Sequence, residues 1–395
     1  FKAAVNGRWR DQANAAARQA ELVRALGHPT PAFDNWHEGR ACLVILDDVW
    51  EETHAEAFTQ LGPKCRLLVT TRDRGVLEKI GAAECRIDVL KPEKALELLA
   101  DYAGLRIADL PSEAGDVAME CGYLPLALAA VGNLIRAERY TRQGALDRLR
   151  AADLKRLHAR LPGYDHPGVL AALEISVEVL PDGAKGAFLD CAVFQEDVDI
   201  PEAALKILWS GRFANPEDAA DNAQLLVERS LIRRNEAREY HLHDLYHDYV
   251  RAMAEDPAAP HHRLIDAYKA RCRDGWATGP DDGYFFQYLP HHLAQAGEGE
   301  ALRTLLLDYD WIAAKLKAAD VTALLGDYEA AADDEGFRLV QQALRLSSHV
   351  VSRDPDQLPS QLFGRLGGFG QSDIRALLEG ASRGPGTAWL RPVTA

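Results

Sequence analysis

The sequence predicts a multidomain α/β plus α chain: a parallel, doubly wound sheet followed by a helical lid, a winged helix and a second helical domain. Three observations predict it. Residues 43–48 read Leu-Val-Ile-Leu-Asp-Asp, a continuous apolar run that ends in two carboxylates. Residues 66–73 read Arg-Leu-Leu-Val-Thr-Thr-Arg-Asp, a second such run that ends in hydroxyls and a guanidinium. From residue 91 onward, apolar residues recur mainly at helical spacing. A strand covered by helices on both faces reads as a continuous apolar run. Ligands of such sheets bind beyond the carboxyl ends of the strands, where both polar clusters fall.

Taken in order, Asp47 and Asp48 stand at the end of the first strand. A first carboxylate there can hold Mg²⁺, and a second can orient water on a triphosphate, which marks a nucleotide-binding sheet. Asp48 with Glu51 also makes a capping box that would start the next helix, expected over Thr53 to Gln60. Parallel neighbours present their ends together, so Thr70, Thr71 and Arg72 are expected to face the crevice of Asp47. Arg72 could sense or stabilise a terminal phosphate; a surface ion pair with Asp73 is the plainer alternative. A third short strand, Arg86 to Leu90, follows a helix around Val76 to Ile80 and completes the alternation of a 1–90 nucleotide-binding domain.

Residues 91–150 read as a small helical lid, with Ala95, Leu96, Leu98 and Leu99, then Leu126, Leu128, Val131, Leu134 and Ile135, at helical spacing. Gly122 suits the end of one helix and Pro125 the first turn of the next. Residues 151–255 read as a winged helix, because Leu231-Ile232-Arg233-Arg234 and Glu239 to Leu242 form short strands around a polar turn. His243 then opens a helix over Asp244 to Met253, where a histidine can donate to a phosphate or serve structure alone. His243 and His247 stand four apart on one helical face, as zinc ligands can, but no third ligand follows at a helpful spacing. Residues 256–350 return to amphipathic helices, with Tyr284 to Leu289 as an aromatic core segment and His291-His292 as a surface feature. Glycine and proline rise over 351–395, as in a linker with one helix at Ile374 to Glu379.

The order Leu-Val-Ile-Leu-Asp-Asp-Val-Trp, Leu-Val-Thr-Thr-Arg, Gly122-Tyr123-Leu124-Pro125-Leu126-Ala127 and Leu242-His243-Asp244 resembles the NB-ARC module of STAND signalling ATPases. Plant resistance proteins and the animal apoptotic protease-activating factor share that module. The resemblance is closer to the apoptotic type, because it continues through Leu173 to Leu180, Ile207-Leu208-Trp209 and Asp310-Trp311-Ile312. It implies ADP or ATP with Mg²⁺ as cofactors, Asp47 as the metal ligand and Asp48 as the catalytic carboxylate. Thr71, Arg72, Pro125 and His243 would be nucleotide-binding, with Pro125 on the adenine and His243 on the β-phosphate of ADP. The implied function is a nucleotide-controlled switch that opens and forms a homo-oligomer on activation, with at most slow Mg²⁺-dependent ATP hydrolysis. Relatives continue into WD-repeat propellers, so effector and propeller regions outside this sequence would supply protein partners. The alternatives are a winged-helix STAND transcription regulator and a scaffold that has lost nucleotide binding.

One part is missing. A phosphate-binding loop needs cradling glycines followed by Lys and Ser or Thr. Before Asp47 the lysine is Lys2, followed by Ala3, and Gly7, Gly27 and Gly39 are scattered. The expectation is that the loop is absent from this sequence rather than lost from the protein, since the phosphate-directed residues downstream are complete. Composition narrows the class further. With 45 basic and 60 acidic residues, the net charge of −15 disfavours a general nucleic-acid or anionic-membrane surface. Six dispersed cysteines without a C-x-x-C suggest neither a disulfide framework nor a zinc ribbon. No apolar run approaches the roughly eighteen residues needed to cross a bilayer, so a cytoplasmic protein is expected. Abundant Ala and Arg with little Lys point to a GC-rich bacterial genome.

Overall fold

The computed structural model describes residues 41–47, 49, 51–71, 73–110, 112–136, 167–196, 198–329 and 334–383. The chain divides into two compact units, Phe1–Asp88 and Val89–Ala395. In the first, β1 (Leu43–Leu46) pairs in parallel with β2 (Arg66–Val69), in the register Leu43 to Arg66 and Leu46 to Val69. Each strand is followed by a short helix, α1 (Glu52–Glu56) and α2 (Arg74–Lys79). Val44 and Leu46 point to one face of the sheet, where they pack with Val49, Ala55, Phe58 and Val76.

Two expectations are corrected here. The β1 run alternates in burial, with Leu43 61% and Ile45 58% exposed on the opposite face. Among the described residues, then, the sheet is covered on one face only, because α1 and α2 pack together. The expected third strand is irregular over Arg86 to Leu90, and Ile87 is 89% exposed. The end of this segment is drawn to the helical unit instead, where the Leu90 amide donates to the Tyr123 carbonyl at 3.1 Å and its side chain packs against the helical core.

The second unit is mainly helical. It begins with α3 (Pro92–Ala103), α4 (Ala114–Glu120) and α5 (Pro125–Arg136). Then come α6 (Pro167–Glu178), α7 (Asp182–Asp190), β3 (Ile200–Pro201), α8 (Glu202–Leu208) and α9 (Pro216–Glu228). The strands β4 (Arg233–Arg234) and β5 (Glu239–His241) follow, and an antiparallel sheet forms in the order β3-β5-β4. The β4–β5 turn closes because the Asn235 side chain accepts from the Glu239 amide at 2.9 Å, with Arg238 left-handed at φ 65°. Next is α10 (Asp244–Met253).

The remaining helices are α11 (Ala258–Lys269), α12 (Phe285–Gln295), α13 (Gly299–Leu306), α14 (Tyr309–Ala318), α15 (Val321–Glu329), α16 (Glu335–Val351), α17 (Leu358–Leu366) and α18 (Ser372–Arg383). One apolar core runs from Ala95 to Trp311, joining α3 to α5 with the three-stranded sheet and α12. A second core gathers residues from Leu306 to Ala381. The linker expected from residue 351 is therefore corrected. Leu358, Leu362 and Leu366, then Ile374, Leu377 and Ala381, recur at helical spacing and are buried. Pro359 lies in the first turn of α17 and Gly367 caps its end, so these residues punctuate helices rather than loosen the chain.

A further correction concerns His292. Far from being a surface feature, its ring is buried between α11 and α12, hydrogen-bonded to Tyr284 and His261.

Candidate functional site

The carboxyl ends of β1 and β2 lie side by side, as parallel pairing requires. The Thr70 amide donates to the Leu46 carbonyl at 2.9 Å, and the Val49 amide donates to the Thr70 carbonyl at 2.9 Å. This extends the ladder one step beyond both strands and sets Asp47 opposite Thr70. The Thr70 hydroxyl donates to Asp47 Oδ1. Both residues are exposed, so a solvent-facing carboxylate stands beside a hydroxyl at the strand ends. These are hard oxygen donors of the kind Mg²⁺ takes.

Thr71 is placed differently. Its hydroxyl donates to the Val49 carbonyl at 2.5 Å and accepts from the Asp73 amide at 3.0 Å, so it is committed to shaping the turn. Asp73 then caps α2 by accepting from the Gly75 amide at 2.8 Å. The sequence reading singled out Thr71, whereas Thr70 is the hydroxyl beside the carboxylate. Counting the parallel register one residue past Leu46 and Val69 would have found it. The expected positions Asp48 and Arg72 lie outside the described residues, as does the 1–40 stretch on which the missing loop turns.

In the helical unit, α4 ends where Gly122 and Tyr123 both turn left-handed, at φ 60° and 56°. The Tyr123 amide returns to the Ala118 carbonyl at 3.0 Å and the Gly122 amide to the Met119 carbonyl at 2.9 Å, the paired bonds of a Schellman motif. Pro125 then opens α5 with its ring exposed, while Ala127 and Leu128 behind it are buried. His243 is the N-cap of α10. Its Nδ1 accepts from the Leu245 amide at 3.3 Å, which leaves Nε2 as the N–H donor of the ring. The neighbouring histidines go elsewhere. Nδ1 of His241 is 3.6 Å from Asp199, and Nε2 of the buried His247 is 2.7 Å from the Phe194 carbonyl. The three histidines thus do not converge on one ion. At the end of α4, burial pushes the Cys121 thiol up to about 12, so that thiol is not a ready nucleophile.

Residues 33–108 match the NB-ARC domain, and residues 258–357 match the APAF-1 helical domain. The chain carries an NB-ARC domain. It is 30% identical over 295 residues to apoptotic protease-activating factor 1 of Danio rerio, covering 72% of this chain and 23% of that protein. The human protein of the same name is 29% identical over 331 residues, covering 79% of this chain and 26% of that protein. The chain therefore resembles the apoptotic factor both in its NB-ARC domain and beyond it, and it spans about a quarter of the length of these relatives. Among solved structures, a STAND protein with a tetratricopeptide repeat sensor from Pyrococcus horikoshii aligns with a TM-score of 0.46 and 14% identity, covering 94% of this chain and 56% of that one.

Proposed function

We propose that this NB-ARC chain is the switch portion of a signalling ATPase, in which bound ADP holds a closed state and ATP favours an open, self-associating one. The observation that carries this reading is the parallel strand pair whose ends present Asp47 and Thr70 together. When bound, Mg²⁺ would neutralise phosphate charge at this edge, with Asp47 as its protein ligand. Asp48 and Arg72 would stand beside it in water-orienting and phosphate-sensing roles, with Thr71 shaping the turn between them. Pro125 offers a rigid exposed ring for an adenine. His243 offers an Nε2 donor for a phosphate oxygen, held in orientation by its own cap bond. The sheet β3-β5-β4 with α8, α9 and α10 would be the winged helix, and α3 to α5 the lid. Oligomerisation would be head to tail, and any hydrolysis slow enough to reset the switch rather than drive it. No helix among the described residues is long and apolar enough to cross a membrane.

The test is equilibrium binding of fluorescent ADP and ATP analogues to the intact protein, with and without Mg²⁺. Asp47→Asn is expected to weaken Mg²⁺-ATP binding about tenfold, the worth of one charge-assisted contact, while magnesium-free ADP binding stays within about twofold. Mg²⁺-ATP affinity that ignores the substitution would remove Asp47 from the site. A protein that binds neither nucleotide would establish the scaffold reading instead.

A further inference from the structure

We propose that Glu196, His247 and Asp248 form a site for a divalent transition-metal ion of the zinc or cobalt class, fastening α10 to the loop between α7 and β3. One ligand atom from each of these side chains lies within 4.8 Å of the other two. Sequence spacing hid this group, because Glu196 reaches α10 from a different element.

The histidine supplies the independent observation. His247 is 1% exposed, and its Nε2 sits 2.7 Å from the Phe194 carbonyl oxygen. A carbonyl only accepts, so the ring proton is at Nε2 and, in the neutral ring, the lone pair is at Nδ1. That Nδ1 is buried and makes no hydrogen bond. It faces Glu196 Oε1 at 3.7 Å, too far for a hydrogen bond. Two ligand atoms each about 2.1 Å from zinc stand about 3.4–3.6 Å apart at tetrahedral to trigonal angles, close to this separation. An imidazole that donates one N–H to a backbone carbonyl while turning its other nitrogen to an ion is the usual arrangement around bound metal. The Glu196 side chain is 24% exposed, so an ion has a path in, and water can complete the shell. A plain imidazolium–carboxylate pair accounts for the gap less well, because a second ring N–H would draw Glu196 into hydrogen-bond range.

The site would also stiffen the start of α10. The His247 amide donates to the His243 carbonyl at 2.9 Å, one helical turn away, so fixing His247 fixes the backbone of the N-cap. The inference does not depend on the nucleotide reading, since none of its residues was assigned to nucleotide.

The experiment uses the full chain, stripped with chelator and free of nucleotide, titrated with ZnCl₂ by calorimetry and with CoCl₂ by visible absorption. One equivalent is expected to bind with micromolar or tighter affinity, with cobalt bands typical of nitrogen and oxygen ligation. Glu196→Gln and Asp248→Asn, on side chains that are not fully buried, should each weaken binding at least about tenfold and alter the cobalt spectrum. His262→Gln, on an exposed ring paired with Glu298, should leave both unchanged. Zinc should raise the melting temperature of the parent and not of the two carboxylate variants. Absence of stoichiometric binding up to millimolar zinc overturns the proposal, and so does binding that both carboxylate variants retain.

Discussion

Burial makes the ionisable side chains of the helical unit unequal. Lys315 is 0% exposed, with Nζ 2.7 Å from Asp327 Oδ2 and donating to the Gln287 carbonyl at 3.2 Å. Burial pushes the Asp327 carboxyl up to about 6 against the pull of Lys315, which shows how much the carboxylate depends on its partner. Lys315→Met is therefore expected to cost about 3–5 kcal/mol at neutral pH, because a buried charge is left unpaired. Adding Asp327→Leu should restore most of that loss, and urea unfolding of the single and double variants measures both steps. A second buried group reports on pH. The Tyr284 hydroxyl lies 3.0 Å from His292 Nε2, and His292 Nδ1 lies 2.9 Å from His261 Nδ1, which suits two neutral rings in a donor chain. Burial lowers His261 to about 4, with Arg251 and His262 adding to the effect. Burial, with His291 and His261 adding to it, holds His292 well below its ordinary value. The unfolded chain takes up protons on these rings before the folded one does, so their contribution is full above about pH 6.5 and is lost as pH falls towards about 4. The urea midpoint of the parent should drop across that window, and His261→Gln should flatten the drop. An unchanged slope would mean that other groups set the acid sensitivity. His292 shares a helical face with Leu289, Leu293 and Ala296, so its burial could have been read from the spacing.

Between elements, α5 packs closely onto α3 at Gly132. A Cβ built at Gly132 would stand 2.6 Å from Tyr102 Cβ and 3.2 Å from both the Ala103 amide nitrogen and the Leu99 carbonyl oxygen. The helices pack so closely because this position carries no side chain. Gly132→Ala gains about 1 kcal/mol of helix propensity, but overpacking costs about 1–3 kcal/mol, so a net loss is expected and Gly132→Val should lose more. Thermal unfolding of the three proteins checks the order, and a more stable alanine variant would show that the helices can part without strain. The sequence made this packing only half visible. Leu126, Leu128, Val131 and Leu134 announced the apolar face of α5, while a glycine inside a helix announces nothing about its neighbour. The same limit applied elsewhere. Continuous apolar runs found β1 and β2, although β1 buries only one face, and they put Asp47 at a strand end correctly. The same reading failed at Arg86 to Leu90, where the apolar run looked like a strand but the Leu90 amide bonds to the Tyr123 carbonyl of the helical unit. The helix expected at Ile374 to Glu379 lies within α18, but α17 was missed, because glycine and proline at helix ends carry the same letters as glycine and proline in a linker. The committed hydroxyl of Thr71 was invisible because only the register decides which of two adjacent threonines faces the carboxylate.

For the molecule as a whole, a switch needs contacts that differ between its states, and a ligand shifts the balance only through those contacts. In the proposed mechanism the phosphate bond from His243 is such a contact, so its loss should favour the open state. A change of about 1.4 kcal/mol alters the closed-to-open ratio tenfold, which lies within the worth of one hydrogen bond to a charged group. His243 has two jobs, however, and an alanine removes both. Its Nδ1 caps α10 through the Leu245 amide, and losing a cap costs about 0.5–2 kcal/mol of stability in itself. Asparagine separates them, because its short side chain is a favoured N-cap acceptor but does not extend as far as the imidazole Nε2. In the intact protein, His243→Asn is expected to keep the melting temperature near that of the parent while releasing ADP about tenfold faster, and His243→Ala should both lower the melting temperature and speed ADP release. Light scattering in ADP should then show the asparagine variant self-associating where the parent stays monomeric. If the asparagine variant instead holds ADP as long as the parent and remains a monomer, His243 is a helix cap and nothing more, and the nucleotide must be read by other residues.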